Sequence, residues 1–265
     1  MSERTADDRF RPAWWLSNRH LQTIWPVLCR GRVPLEASRE RVELPDGDFL
    51  DVDWVGRRGP IVIVLHGLQG SAESNYLRGL LRKIEARGWR GALMYFRGCS
   101  GEANRLPRSY HSGETADIDW FARELRQREP GTPLAAVAFS LGGNVLLKWL
   151  GESRADNPLR AAVAVSTPFE LGAAADSMEA GFSRIYQWYL VRRLKRAVHA
   201  KMSNGSFELA LSSADLDRLR TFREFDDAVT APMHGFRNAE DYYKRCSSRQ
   251  FVDRIETPTL VLHSS

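Results

Sequence analysis

Cysteine is scarce in this chain: Cys29, Cys99 and Cys246 are far apart and odd in number. That argues against a disulfide framework and points to a reducing compartment. No Cys/His spacing resembles a zinc site, so no metal is expected. Long apolar runs are lacking too; none approaches the roughly 20 residues of a membrane-spanning helix. The opening stretch Met1–Phe10 is polar and partly acidic, without the apolar centre of a secretory signal. These absences together predict a cytoplasmic protein. Internal repeats and low-complexity segments are also missing, which excludes solenoid and linker-like readings.

What is present suits a large soluble domain. The chain has 265 residues, 43% of them hydrophobic and 27% charged, enough for one sizeable α/β core. The net charge of +5 comes mainly from arginine. It reads as a solvated basic surface. Peripheral contact with an anionic membrane stays open as the alternative, and no nucleic-acid partner is expected.

The organising stretch is Leu134–Leu150. Leu134–Phe139 is an unbroken apolar run and reads as a strand buried on both faces of a parallel sheet. Ser140 and two glycines follow. Asn144, Val145, Leu146, Leu147 and Leu150 then fit one helix, stopped by Gly151. Ser140 thus falls on a tight strand-to-helix turn, which is the setting of a nucleophile elbow. Such a turn lifts Oγ out of the sheet and aims the Leu141 amide at whatever binds there. Gly142 leaves room for the helix to cross the strand. The elbow pattern Gly-x-Ser-x-Gly is broken at its first position by Ala138, whose methyl is expected to crowd the turn.

Upstream, residues 1–38 form an arm rich in tryptophan (Trp14, Trp15, Trp25), expected to pack on the domain, with His20 structural. Residues 41–54 alternate around Pro45-Asp-Gly-Asp48 and predict an antiparallel edge hairpin. Pro60–His66 is a second buried strand. It ends in His66-Gly-Leu-Gln-Gly-Ser71, followed by a helix with Leu77, Leu80, Leu81 and Ile84 on its apolar side. A strand, a His-Gly-x-x-Gly turn and a helix upstream of an elbow mark the place of an oxyanion hole. The amides of Leu68 and Leu141 are its expected donors, and His66 is expected to brace the loop. No phosphate-binding glycine pattern is present.

Gly91–Phe96 predicts a third strand. The long polar loop behind it carries Arg97, Cys99 and His111, read either as pocket lining or as a self-bonded surface loop. Ser112 is placed to cap a helix over 113–128. Arg160–Val165 is a fourth parallel strand, with Glu170 beyond it as a carboxylate where an acid could stand. From 172 to 250 the βα rhythm stops and the pattern is helical, which predicts a cap inserted over the core of residues 39–171. Within it Phe182, Ile185, Tyr186, Tyr189, Leu190 and Leu194 share one side, among arginines. This is read as a lid helix with its apolar side on the core, the membrane-surface helix being the alternative. Residues 251–265 return to the core, with Pro258–His263 a fifth buried strand.

Taken together, His20-Leu-Gln-Thr, His66-Gly-Leu-Gln-Gly-Ser, Phe96-Arg-Gly-Cys-Ser-Gly-Glu, Arg105-Leu-Pro-Arg, Tyr110-His-Ser-Gly-Glu-Thr, Ser140-Leu-Gly-Gly-Asn and Phe225-Asp-Asp-Ala-Val-Thr-Ala-Pro resemble the YheT-like α/β-hydrolases, kin of eukaryotic abhydrolase-domain lipases. They span nearly the whole chain in the family's order. The resemblance implies an α/β-hydrolase fold and a mostly parallel sheet with helices on both faces. It also implies a serine hydrolase acting on carboxylic esters, of which acylglycerols are one class, with a small-molecule ester or lipid as substrate and no metal or organic cofactor. In that family the triad acid follows the strand corresponding to Pro258–His263, and the histidine follows one further strand. Both positions, with the last strand and helix, fall after Ser265, so the 265-residue chain is expected to be a truncated and nearly inactive form. Removing the histidine from such a triad costs on the order of a million-fold in turnover. The alternative is a binding protein that keeps the pocket without the chemistry.

Overall fold

The computed structural model describes residues 13–16, 22, 25, 31, 33–203 and 211–263. The expected structural role of His20 lies outside these residues. Trp14, Trp15 and Trp25 are within them and are exposed; Trp15 and Trp25 meet edge to face, so the expected packing of their rings on the domain is not what is seen.

Among the described residues seven strands form one sheet: β1 (Ser38–Glu43), β2 (Phe49–Val55), β3 (Ile61–Leu65), β4 (Arg90–Met94), β5 (Leu134–Phe139), β6 (Leu159–Val165) and β7 (Thr259–Leu262). Their order is β1-β2-β4-β3-β5-β6-β7. The hairpin β1–β2 and the β2–β4 pair are antiparallel, and every other pair is parallel. The hairpin turns through Gly47 at φ 84°, a left-handed conformation that glycine adopts without cost.

The central strand shows how sequence becomes layers. Ile61, Ile63 and Leu65 point to one face and join a cluster with Ile118, Phe121, Val145, Leu146 and Trp149. Val62 and Val64 point to the other and meet Leu77, Leu81 and Ile84. This is the two-residue period of a strand buried on both sides. The first face is covered by α2 (Ala116–Arg128) and α3 (Leu141–Ser153), the second by α1 (Asn75–Ala86). Helices on both faces of a mostly parallel sheet are thus observed as expected.

Three local expectations are corrected. The helix read over 113–128 begins at Ala116, and Thr115 stands at its N-cap position without a capping bond, its hydroxyl donating to Glu152 instead. Ser112 does not cap it. Its amide instead donates to Tyr242 Oη at 2.9 Å, because a side chain on Gly113 would collide with Cys246 and the loop lies flat against that helix. Gly151 does not stop α3, which runs on to Ser153; a Cβ there would lie 2.3 Å from Phe251 O, so the glycine serves a close approach. The strand Thr259–Leu262 is exposed rather than buried, since among the described residues β7 pairs only with β6.

Between β6 and β7 the chain is helical: α4 (Leu171–Ser177), α5 (Ser183–Ser203), α6 (Ser213–Arg218), and α7 (Phe222–Phe225), which continues through a π turn (Asp226–Thr230) into α8 (Ala231–His234). The helix α9 (Ala239–Cys246) and a 3-10 turn (Ser248–Arg254) follow. These elements carry two small clusters of their own, one around Leu171, Tyr242 and Tyr243, the other around Val198, Leu216 and Phe225. The outward face of α5 departs from expectation. Its buried residues are Gln187, Val191, Val198 and Lys201, while Phe182, Ile185, Trp188 and Tyr189 are exposed. The helix has two apolar faces, and the aromatic one turns away from the core.

Candidate active site

Ser140 closes β5 and opens α3 with φ 50° and ψ −119°. A non-glycine residue at positive φ is strained, and such strain persists only where the surroundings hold it. Here the Ser140 amide donates to Val165 O at 2.8 Å, and its carbonyl accepts from the Asn144 amide at 3.1 Å. Two glycines let the turn close. A Cβ on Gly142 would lie 2.5 Å from His66 O, and one on Gly143 would lie 2.1 Å from Thr167 Oγ1. Ala138 is accommodated: it is fully buried in the sheet between Leu65 and Ala164, one residue before the turn tightens.

The turn after β3 lies against this serine. A Cβ on Gly67 would sit 3.3 Å from Ser140 Cβ. Gln69 also has positive φ, 52°, and donates its amide to Tyr110 Oη at 2.9 Å. Ser166, at the end of β6, has φ 51°. Three neighbouring strands therefore end in left-handed turns at the same edge of the sheet. Among the described residues, neither the Leu68 nor the Leu141 amide has an acceptor. Leu141 is the first residue of its helix, where an N–H has no intrahelical partner. Ser140 Oγ likewise has no hydrogen-bond partner among the described residues.

His66 braces the loop as expected. Nδ1 lies 2.6 Å from Gly67 O, and Nε2 accepts from the Phe96 amide at 3.2 Å, which places the proton on Nδ1. Both nitrogens are engaged, and burial lowers its pKa to about 4. It is neutral and spoken for, hence no base for Ser140.

A cavity of about 800 Å³ opens between this sheet edge and the cap. Ser140, Leu68 and Leu141 line it, with Arg97, Cys99 and His111 from the loop after β4. That loop is therefore pocket lining rather than detached surface, although Arg97 is occupied: its guanidinium grips Asp117 at 2.6 and 2.9 Å and also Asp46 and Asp48. Those carboxylates raise its pKa further, against the opposing pull of burial. Burial pushes the thiols of Cys99 and Cys246 up to about 12, so neither is a nucleophile. Glu170 does not line the cavity; it faces Arg249 at 3.4 Å.

The cap contributes His234, Asp226, Thr230 and Lys201 to the lining, beside apolar Leu190, Leu194, Val198, Phe225, Val229 and Met233. The rings of His111 and His234 meet tilted at 58°, 4.5 Å between centroids, and burial pushes both down to about 3. Asp226 is driven the other way, to about 6, by burial that outweighs the hydrogen bonds from Thr230 and Tyr243.

Two anchoring residues escaped the sequence reading. Asn144, on the first turn of α3, donates to Ser112 O at 2.7 Å and Cys246 O at 2.8 Å, and accepts from the Ser248 amide at 2.9 Å. It ties the elbow to the end of the cap. Lys201 Nζ donates to Leu106 O, Pro107 O and Arg108 O at 2.7–3.0 Å, fastening α5 to the core loop. The polar Asn144 between Gly143 and the apolar run Val145–Leu147 was the available signal; Lys201 offered none.

Comparison with known proteins agrees with this geometry. A family model described as the alpha/beta hydrolase fold matches residues 60–265. The candidate esterase YheT of Escherichia coli is 45% identical over 99% of this chain and 79% of its own length. The monoacylglycerol lipase of Saccharomyces cerevisiae is 34% identical over 77% of this chain, and the chain spans about half of that protein (47%). Phospholipase ABHD3 of Mus musculus is 26% identical over 97% of this chain and 65% of its own length. Among solved structures, the alpha/beta hydrolase GrgF from Penicillium sp. sh18 superposes with a TM-score of 0.50 at 16% identity, covering 86% of this chain and 79% of that one, a likeness of fold. The chain belongs to the α/β-hydrolase family.

Proposed function

We propose that the protein is a serine hydrolase of carboxylic esters, with Ser140 as nucleophile and the amides of Leu68 and Leu141 as oxyanion donors. The observation that carries the reading is the strained Ser140 turn, set against Gly67 and opening into the cavity. Attack of Oγ on an ester carbonyl turns its oxygen into an oxyanion. Two fixed amides without other acceptors stabilise that charge, and losing one such donor typically costs about 3–4 kcal/mol. Collapse expels the alcohol and leaves an acyl-serine, which water then hydrolyses. The largely apolar lining suits an acyl chain, and relatives named as a monoacylglycerol lipase and a phospholipase support acylglycerols or related lipids as the substrate class. Among the described residues, His66, His111, His199 and His234 make their contacts elsewhere and not to Ser140 Oγ.

Fluorophosphonate labelling tests this. Label on Ser140 that disappears in Ser140→Ala is the expected result. The unpartnered hydroxyl favours a second reading, a binding protein that retains the pocket. A folded native protein that binds acyl lipid yet takes no label would establish that reading instead.

A further inference from the structure

The outward face of α5 has a composition that water alone does not explain. Phe182, the residue before α5, and Ile185 and Tyr189 within it follow one another at three- and four-residue spacing, and Arg192 and Arg196 continue the same stripe. Trp188 lies beside it. These apolar side chains are 42–58% exposed. The buried residues Gln187, Val191 and Val198 occupy the opposite side of the helix. From Phe182 to Arg196 the stripe runs about 20 Å. It borders the cavity, because Arg196, Arg193 and Leu190 line that opening.

Charge identifies the partner. α5 contains no Asp or Glu, and its basic residues are Arg184, Arg192, Arg193, Lys195, Arg196 and Lys201. Lys195 and Lys201 are committed to carbonyl oxygens. Among the described residues no carboxylate pairs with Arg184, Arg192 or Arg196, whereas many other arginines of the chain do pair with acids. Arg192 lies over the Trp188 ring at 5.4 Å. Aromatics that prefer the boundary between water and hydrocarbon, flanked by unpaired cations, form a surface complementary to an anionic bilayer. A second copy of this chain would present the same positive charges and repel them.

We infer that α5 docks on an anionic phospholipid surface, with Phe182, Ile185, Trp188 and Tyr189 in the headgroup region and Arg184, Arg192 and Arg196 against lipid phosphates. Docking there sets the mouth of the cavity on the membrane. The inference is independent of the chemistry at Ser140.

The test is partition of the full chain onto sonicated vesicles by flotation. Vesicles of phosphatidylcholine with about 30% phosphatidylglycerol should bind the protein, and pure phosphatidylcholine vesicles should bind it more weakly. Ile185→Ser with Trp188→Ser should lower the partition coefficient at least about tenfold. Arg192→Ser should lower it about fivefold, the effect of one basic residue near such a surface, and the loss should shrink at about 0.5 M salt. All three side chains are exposed, so melting temperatures should stay at the wild-type value. Absence of wild-type binding, or binding unaltered in both variants, would overturn the inference. So would a concentration-dependent dimer in sedimentation velocity that the double variant abolishes while vesicle binding is unaffected.

Discussion

The cavity has two walls built on different principles. The sheet wall is held by backbone. Ser140, Gln69 and Ser166 sit at positive φ, Gly142 and Gly143 permit contacts that no side chain could share, and Arg97 is locked among Asp46, Asp48 and Asp117 behind them. The cap wall is held by side chains: two small clusters, the Lys201 clamp, and the Asn144 and Tyr242 ties. A backbone-built wall fixes atoms to fractions of an ångström, which is what an oxyanion needs. A wall of apolar side chains tolerates change of volume, which suits selection among acyl chains.

The largest loss of stability is expected at Arg97. Arg97→Met should cost about 3–5 kcal/mol of stability, because Asp48 and Asp117 stay buried without their cation. Chemical denaturation measures it. Gly143→Ala should cost about 1–3 kcal/mol by displacing Thr167. By shifting the elbow it should also slow fluorophosphonate labelling about a hundredfold. The equivalent change of shape on the cap side, Met233→Leu, should cost under about 1.5 kcal/mol and alter chain-length preference rather than labelling of Ser140.

Asn144→Ala joins the two walls. It should cost about 1–3 kcal/mol by leaving the carbonyls of Ser112 and Cys246 and the amide of Ser248 unpaired. Proteolysis between residues 171 and 246 should accelerate while the sheet stays protected.

Stability also depends on pH, and burial gives His111 and Asp226 effects of opposite sign. His111 has a native pKa near 3, below its unfolded value, so its contribution to stability is complete above pH about 6.5 and is lost as pH falls toward 3. At pH 5 that loss amounts to about 2 kcal/mol. Asp226, raised to about 6, contributes stability below its unfolded value that is lost as pH rises through 6. In melts between pH 7 and 5, His111→Gln should therefore flatten the decline in stability and Asp226→Asn should steepen it.

Much of the sheet wall was legible in the sequence. Apolar runs ending in Ser140 and in His66-Gly-Leu-Gln-Gly announce strands and tight turns; β3 is buried on both faces as read, whereas in β5 Ala135, Val137 and Phe139 are only half-buried, so the expectation of burial on both faces fails there. The cap was legible only as helix. On α5 two apolar stripes compete for the core, and periodicity alone does not say that Val191 and Val198 win over Phe182 and Tyr189. That outcome depends on the width of the space above the sheet, which is a tertiary property. The Lys201 clamp was invisible for the same reason: its partners are backbone carbonyls of a distant loop, which carry no side-chain signature.

The proposed role of Ser140 as nucleophile is best checked by mapping fluorophosphonate label on protein purified from its native source, by peptide mass spectrometry, with Ser140→Ala expressed in the same host as control. A single modified peptide containing Ser140, absent from the variant, is the expected result. Label on another residue, or a folded native protein left unmodified, would contradict it.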